Sequence, residues 1–430
     1  MNQRRRASVI LLVGDIAFLY AALWLTLTLR YGNAQRGLWE LHIIPFSLLF
    51  VILLLSFFIA GLYDLRVIAP GRRHLALFVL TFLVGGSVGV FMFYLIPAWK
   101  ITPRLNLFIH LLLSSLLLLS WHWIISWVLA RKTKISVWLF ASGTEQKELI
   151  TFLRDHPQLG YQVVPSAQEA ELIVASHDIY QNVALQKKFF QLIPRVRFMT
   201  FPAFYEQITG KVPVSLISEV WFLENIAQAE KHFFEAFKRI FDIALALAIG
   251  IPALLLFPLI ALLIKGESSG PIVIRQKRVG KEGRVFTLIK FRSMVASGPH
   301  GLAEENGAQW ACEDDKRVTR VGGILRATRL DELPQLWNIL TGEMSFVGPR
   351  PERPEFVSTL KERLPFYDIR HMVRPGLSGW AQINFPYGAS VHDALEKLRY
   401  DLYYLKHRSF WLDLAIALKT LKVLVSRTGR

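Results

Sequence analysis

The stretch that decides how this chain folds is IALALAIGIPALLLFPLIALLI, residues 243–264, which carries no charge and lies between Lys238 and Arg239 on one side and Lys265 on the other. At a rise of about 1.5 Å per residue it makes a helix of about 33 Å, long enough for a hydrocarbon core of roughly 30 Å. Length alone therefore reads as a membrane crossing. Yet Gly250 and Pro252 sit near its middle and Pro258 follows. An internal proline removes a backbone hydrogen bond and kinks a helix. With cations at both ends, a helix that enters the membrane, bends at Pro252 and returns to the same side fits the pattern as well as a full span does.

Upstream, four more runs are free of charge or nearly so: 7–29, broken only by Asp15, then 41–63, 75–99 and 105–130. Each is long enough to cross a bilayer. A content of 53% hydrophobic and 13% aromatic residues is too apolar for an ordinary soluble chain of 430 residues. Arg4, Arg5 and Arg6 precede the first run, Arg66, Arg72 and Arg73 separate the second from the third, and Arg131, Lys132 and Lys134 follow the fourth. All three clusters fall on one side of a four-span topology, and that side is cytoplasmic. No small-residue cleavage site follows the first run and three more spans do, which argues against a signal peptide. A net charge of +17 is read as cations facing anionic lipid and phosphorylated substrates, with no nucleic acid as partner. A single cysteine, Cys312, excludes an internal disulfide and a cysteine-rich metal site.

After Lys134 the pattern becomes that of a water-facing domain. Residues 135–139 read as a strand, 145–153 as a helix and 171–175 as a buried strand, a small Rossmann-like α/β module ending near Phe222. Its first turn, ASGT at 141–144, lacks the G-x-G-x-x-G through which a backbone approaches a pyrophosphate. Nucleotide-binding and structural, dimerising or regulatory roles stay open for it.

Downstream, 267–430 is dense in charge, glycine, proline and aromatic residues, and four segments in it lean toward phosphate handling. IRQKRVG at 274–280 and FTLIKFRSM at 286–294 place Lys290 and Arg292 at the end of a short strand, where basic side chains hold phosphate oxygens or form a solvated face. RATRLDELPQLWNILTG at 326–342 enters a helix at Pro334, with Asp331 and Glu332 at or just before its start. Read alone, those acids serve equally as caps. MSFVGPRPERP at 344–354 is stiffened by three prolines and aims Arg350 and Arg353. Two acids facing such a loop suit an Mg²⁺-bound diphosphate, which needs carboxylates for the metal and guanidinium forks for its oxygens. VRPGLSGWAQIN at 373–384 offers Arg374 and Gln382 as substrate contacts and Trp380 as an interfacial anchor, or else a structural turn around a buried tryptophan.

KFRSM, LDELPQLWNIL, MSFVGPRP and RPGLSGWAQ, in this order, resemble the bacterial sugar transferase family, the polyprenyl-phosphate hexose-1-phosphate transferases with one re-entrant membrane helix. The likeness runs from about Phe237 to the C-terminus, and the upstream spans and α/β module look like the family's large, multi-domain branch. The fold it implies is an α+β membrane protein: a four-helix transmembrane bundle (1–133), the Rossmann-like module (134–230), a re-entrant helix hairpin broken at Gly250 and Pro252 (231–266), and a mainly helical catalytic domain (267–430).

The resemblance implies transfer of a sugar-1-phosphate from a UDP-sugar to undecaprenyl phosphate, the first membrane step of exopolysaccharide, capsule or O-antigen repeat-unit synthesis. Asp331 is implied as the covalent nucleophile, and Glu332, with Asp331, as ligand to Mg²⁺ or Mn²⁺. Lys290, Arg326 and Arg350 are implied as phosphate contacts, and a homodimer in the inner membrane with its catalytic domain on the cytoplasmic face as the assembly. A full crossing by 243–264 would carry that domain away from nucleotide sugars, which favours the hairpin. One departure is that Ile251, and not the serine common in smaller members, precedes Pro252. A non-catalytic membrane scaffold of a polysaccharide assembly complex is the alternative, and it leaves the acid and arginine cluster without a task.

Overall fold

The computed structural model describes residues 3–32, 35–64, 72–95, 104–131, 134–141, 143–176, 196–227, 232–295, 317–385, 388 and 390–425; Cys312 and the cations Arg66 and Lys132 lie outside them. The chain is mainly helical with small sheets, and it divides into two compact units, Met1–Phe201 and Pro202–Arg430. Among the described residues, five helices are long and apolar enough to cross a membrane.

Four of the five open the first unit: α1 (Gln3–Tyr31), α2 (Gln35–Ala60), α3 (Arg72–Leu95) and α4 (Arg104–Arg131). Leu19, Leu23, Phe46, Leu49 and Phe57 form their common interior. Their outer faces carry exposed residues such as Ile44, Leu83 and Phe108. Apolar surface of this extent is stable against lipid tails and costly against water. Asp15, the one charge in the first run, is fully buried. Its carboxylate accepts from the Tyr63 hydroxyl at 2.7 Å and lies 3.1 Å from His122 Nε2. A buried carboxylate is tolerated only when partnered in this way.

Beyond α4 come β1 (Ile135–Phe140), α5 (Thr144–Asp155), β2 (Tyr161–Val163), β3 (Leu172–Ala175) and β4 (Arg197–Thr200). They make a parallel sheet in the order β2-β1-β3-β4. Both strands read from the sequence are present, and the buried run Leu172, Ile173 and Val174 lies in the central β3, as both-face burial requires.

The second unit begins earlier than the sequence predicts. Residues 202–227, expected to close the α/β module, pack instead against the C-terminal helices α12 (Val391–His407) and α13 (Phe410–Val425). Glu206 holds Lys406 and His407, Val212 N–H donates to Arg399 C=O, and the Trp380 indole donates to Gly210 C=O at 2.9 Å. Trp380 is thus an interior residue, not an interfacial anchor. Tyr400, Tyr404 and Leu405 are core as well, whereas Trp411 is largely exposed.

Between these parts lie the long helix α7 (His232–Glu267), the antiparallel hairpin β5 (Val273–Val279) and β6 (Val285–Phe291), the helices α8 (Arg320–Ala327) and α9 (Gln335–Thr341), and the parallel pair β7 (Ser345–Val347) and β8 (Gly376–Ser378) with α10 (Pro354–Arg363) and α11 (Trp380–Asn384). Helix α6 (Phe201–Thr209) precedes them in the chain. Helix α7 is continuous through Gly250 and Pro252 where the sequence predicts a break. One proline deletes one rung of the hydrogen-bond ladder, which resumes beyond it, so a change of direction here is a kink and not a loop.

Both ends of α7 are fastened within the same unit. Near its start Arg239 donates to the carbonyls of Ile339 and Leu340 at the end of α9, and Asp242 accepts from Ser345 Oγ and Phe346 N–H, each at 3.1 Å. At its end Glu267 accepts from the Arg320 and Val321 N–H groups that open α8. Between these clamps Leu254, Leu255 and Leu262 are exposed by 69%, 82% and 71%.

Helix α8 lies directly on the chain leaving β6. A Cβ on Gly322 would stand 2.0 Å from Ser293 O, against backbone that cannot swing aside. Gly322→Ala is therefore expected to cost about 1–3 kcal/mol or more and to lower the unfolding midpoint of the detergent-solubilised protein. An unchanged midpoint would show that α8 does not depend on this contact.

Candidate active site

Asp331 and Glu332 sit on a single tight helical turn, Leu330–Glu332, just ahead of α9. Arg329 immediately before them adopts φ 57°, ψ 16°, a left-handed conformation that costs a non-glycine residue about 1–2 kcal/mol. That bend turns the chain out of α8 and draws both acids inward, to 7% and 8% exposure. The residue that supplies the bend also supplies a charge: Arg329 donates to Glu332 Oε1 at 3.0 Å. Arg350 of the proline-rich loop donates to the same oxygen at 3.2 Å.

The two carboxyls are thereby made unequal. Burial and then the neighbouring charge of Glu332 push Asp331 up to about 6, against the pull of Lys290, Arg329 and Arg326. Burial would raise Glu332 too, but Arg350 and Arg329 outweigh it and hold that carboxyl below its usual range. Adjacent acids whose affinities for protons are driven apart divide their work, one staying a fixed anion and the other becoming the more basic. Asp331 Oδ1 is buried with no hydrogen-bond partner among the described residues. Leaving such an oxygen unpaired costs roughly 1–3 kcal/mol, which a native fold retains where something else is to meet it.

Lys290, on β6, faces the pair. Burial, and then Arg278 beside it, lower the ammonium to about 8, while Asp331 works the other way. Arg326, on the last turn of α8, adds a half-buried charge that acts on Asp331 and Lys290 alike. Five cations from three separate parts of the chain thus gather at the site, four acting on the two acids and Arg278 on Lys290: Arg278 and Lys290 from the hairpin, Arg326 and Arg329 from α8 and its exit, and Arg350 from the loop after β7. Such a surplus of positive charge is matched to a polyanion that carries several acceptor oxygens.

The other arginines read from the sequence go elsewhere. Arg292 is 2% exposed and donates to the carbonyls of Ile264, Ser268 and Ser269, closing the end of α7; it is a structural cap and not a substrate contact. Arg353 opens α10 and turns its Nε toward Glu355 at 3.6 Å. Arg374 lies close enough to Arg239 for their charges to repel, at the Gly348 crossing. Gln382 donates to Leu377 C=O inside its own turn. None of these four has a described contact with the acid pair.

Sequence reading also missed residues. The left-handed backbone of Arg329 has no sequence signature, since arginine has no preference for that region. Arg370, 4% exposed at its side chain, pairs with Asp401 at 2.8 Å and donates to the Tyr367 hydroxyl and to the carbonyl of Arg350. It fixes the backbone from which Arg350 reaches the acids.

A divalent ion can be tested against this donor set. Among the described residues no group of three or more acidic, histidine or cysteine side chains converges, so a closed protein cage is not offered. Two adjacent carboxylates, one with an unpartnered oxygen, do fit a small hard cation that takes one or two protein ligands and completes its shell with phosphate and water.

Residues 233–427 match the bacterial sugar transferase family model. The chain is 44% identical over 227 residues to the UDP-N-acetylgalactosamine-undecaprenyl-phosphate N-acetylgalactosaminephosphotransferase of Aeromonas hydrophila, a match covering 52% of this chain and 51% of that one. It is 42% identical over 190 residues to the UDP-glucose:undecaprenyl-phosphate glucose-1-phosphate transferase of Escherichia coli, covering 43% and 39%. A protein of the same description from Caulobacter vibrioides is 41% identical over 196 residues, covering 44% of this chain and 70% of that one. The chain thus spans about half or less of the length of the first two relatives, and most of the third.

Proposed function

Because this chain belongs to the bacterial sugar transferase family, we propose that it transfers a sugar-1-phosphate from a UDP-sugar to undecaprenyl phosphate by way of a covalent phosphosugar on Asp331. The observation that carries the reading is the buried, unpartnered Asp331 Oδ1 beside a glutamate already held by two arginines.

In the first step a carboxylate oxygen of Asp331 attacks the β-phosphorus of the donor. The bond to the α,β-bridging oxygen breaks, and UMP leaves with that oxygen. In the second step a phosphate oxygen of the lipid attacks the same phosphorus, the bond to Asp331 breaks, and undecaprenyl diphosphate sugar is released with the carboxylate restored. Two in-line steps through one nucleophile replace a direct encounter of two bulky anions. Arg350, Arg326 and Lys290 offset the repulsion between that nucleophile and the incoming diphosphate. Asp331 is basic enough to attack and yet mostly ionised at neutral pH. Asp331 and Glu332 would hold Mg²⁺ or Mn²⁺, which when bound supplies charge neutralisation on the diphosphate oxygens.

The membrane arrangement belongs to the same proposal. Since both ends of α7 are clamped within one unit and its middle is exposed and apolar, α7 is read as a re-entrant helix that kinks at Pro252 and brings the acids to the membrane face. Helices α1–α4 form a transmembrane bundle in the inner membrane, and the catalytic unit lies on the cytoplasmic face, where nucleotide sugars are. The resemblance to the large family branch supports a homodimer, and the lipid product would enter exopolysaccharide, capsule or O-antigen assembly.

The test is isotope exchange. Labelled UMP should appear in the UDP-sugar pool when the purified protein is supplied with donor, UMP and Mg²⁺ but no lipid. Transfer to lipid without such exchange would overturn the covalent route.

A further inference from the structure

At the other end of Arg350 from the acids lies a cleft that the transfer steps above do not use. Arg370 and Tyr367 form its floor, Glu352 and Lys397 stand at its sides, and its volume is about 60 Å³. The floor is already committed: Arg370 is spent on Asp401, Tyr367 and the Arg350 carbonyl. Ser390 at the margin is committed too, to the capping box that opens α12. Two groups are left over. The Glu352 carboxylate has no hydrogen bond among the described residues, and the Lys397 ammonium makes one, to Gly388 C=O at 3.1 Å.

The cleft adjoins the reaction centre. Arg350 is drawn by Glu332, Glu352 and Asp331 together. Glu352 follows Arg350 by two residues, at most about 7 Å of chain.

What would fill such a space is constrained by charge and size. An anion is opposed by Glu352. A nucleobase would want an open aromatic face, and Tyr367 is buried to 3%. A free acceptor facing a donor with hydrogens to spare is the complement of hydroxyl and acetamido groups, each of which both gives and takes hydrogen bonds. At roughly 10–15 Å³ per water-sized group the space holds about four to six heavy atoms, which is one edge of a pyranose ring with its substituents and less than a nucleoside.

We propose that this cleft receives an edge of the donor's sugar, with Glu352 accepting from and Lys397 donating to its substituents, and so selects which sugar-1-phosphate is transferred. The assignment rests on the transferase reading above. It places the choice of sugar in the segment after the proline-rich loop and in α12, while the phosphates are handled by the cluster around Asp331. The ribose of the nucleotide offers similar vicinal hydroxyls, so the test must separate the two.

The full-length protein in detergent is assayed with undecaprenyl phosphate against UDP-glucose, UDP-galactose and their N-acetylated counterparts, as wild type, Glu352→Ala and Lys397→Met, alongside inhibition by UMP. Loss of a charge-assisted hydrogen bond to one substituent should change the kcat/KM ratio between the preferred donor and its epimer by about tenfold or more, with UMP inhibition held within about twofold. Both variants should keep the wild-type unfolding midpoint, and either one suffices if the other is lost to misfolding. Unaltered donor ratios in the folded variants would overturn the sugar assignment, and UMP inhibition weakening in step with transfer would move the cleft to the ribose. A wild-type protein that labels no lipid with any donor would instead sink the transferase reading itself.

Discussion

Asp331→Asn is expected to abolish lipid-linked sugar formation, with turnover falling by at least about 10⁴-fold, while leaving the fold intact or more stable. Asparagine fills the same volume on the Leu330–Glu332 turn, so the αL bend at Arg329 and the grip of Arg329 and Arg350 on Glu332 are undisturbed. Its amide oxygen is a poor nucleophile, and the route through a covalent phosphosugar is closed.

The stability arm follows from the sign of the proton linkage. Asp331 is pushed up to about 6 in the folded protein, above its unfolded value, so folding favours the protonated acid. The advantage is complete below the unfolded pKa of about 4 and is lost as pH rises toward 6, which means that at neutral pH the ionised Asp331 opposes folding by on the order of 1–3 kcal/mol. An uncharged isostere removes that opposition. Radiolabelled transfer and thermal unfolding of the same preparation read both arms. A gain in midpoint with loss of turnover identifies a residue kept for chemistry; a loss of midpoint with turnover near wild type would identify a cap.

Much of this site was legible as residue types and little of it as geometry. The order of the strings around KFRSM, LDELPQLWNIL and GPRP picked out the acids and three of the five converging cations, because catalysis fixes local spacing. Arg292 shows the limit. It lies two residues from Lys290 on the same strand exit and carries the same charge, but its destination is a set of carbonyls 23 to 28 residues earlier, at the end of α7. Sequence records that a guanidinium is present, not which carbonyls turn toward it. The Trp380 indole is likewise spent on Gly210, 170 residues away, which is also why the boundary expected near residue 230 lies at Phe201. Apolar helices were read with ease, since a period and a length suffice. Proline's local effect predicts a break at Pro252, yet α7 continues through it, held at both ends by contacts that lie far away in sequence.

Arg370→Leu is expected to be the most destabilising single change in the catalytic unit, costing about 3–5 kcal/mol. The side chain is nearly inaccessible, and its loss strands Asp401, 2% exposed at its side chain, without a counter-charge. Because a fold of this kind has only about 5–15 kcal/mol in hand, the variant should express poorly and melt well below wild type. Replacing both partners, as Arg370→Leu with Asp401→Leu, removes the stranded charge and should recover most of that loss, since apolar groups of similar volume often serve a buried ion pair's place without penalty. Activity should not return with it. The Arg350 carbonyl would still lack its donor from Arg370, the loop would settle differently, and the guanidinium that bonds Glu332 would be displaced. Recovery of the unfolding midpoint with kcat still reduced by about tenfold or more would therefore separate positioning from mere scaffolding. Recovery of both would show that Arg350 finds its place without Arg370, and a single variant within 1 kcal/mol of wild type would show that Asp401 is not held as an anion in the folded protein.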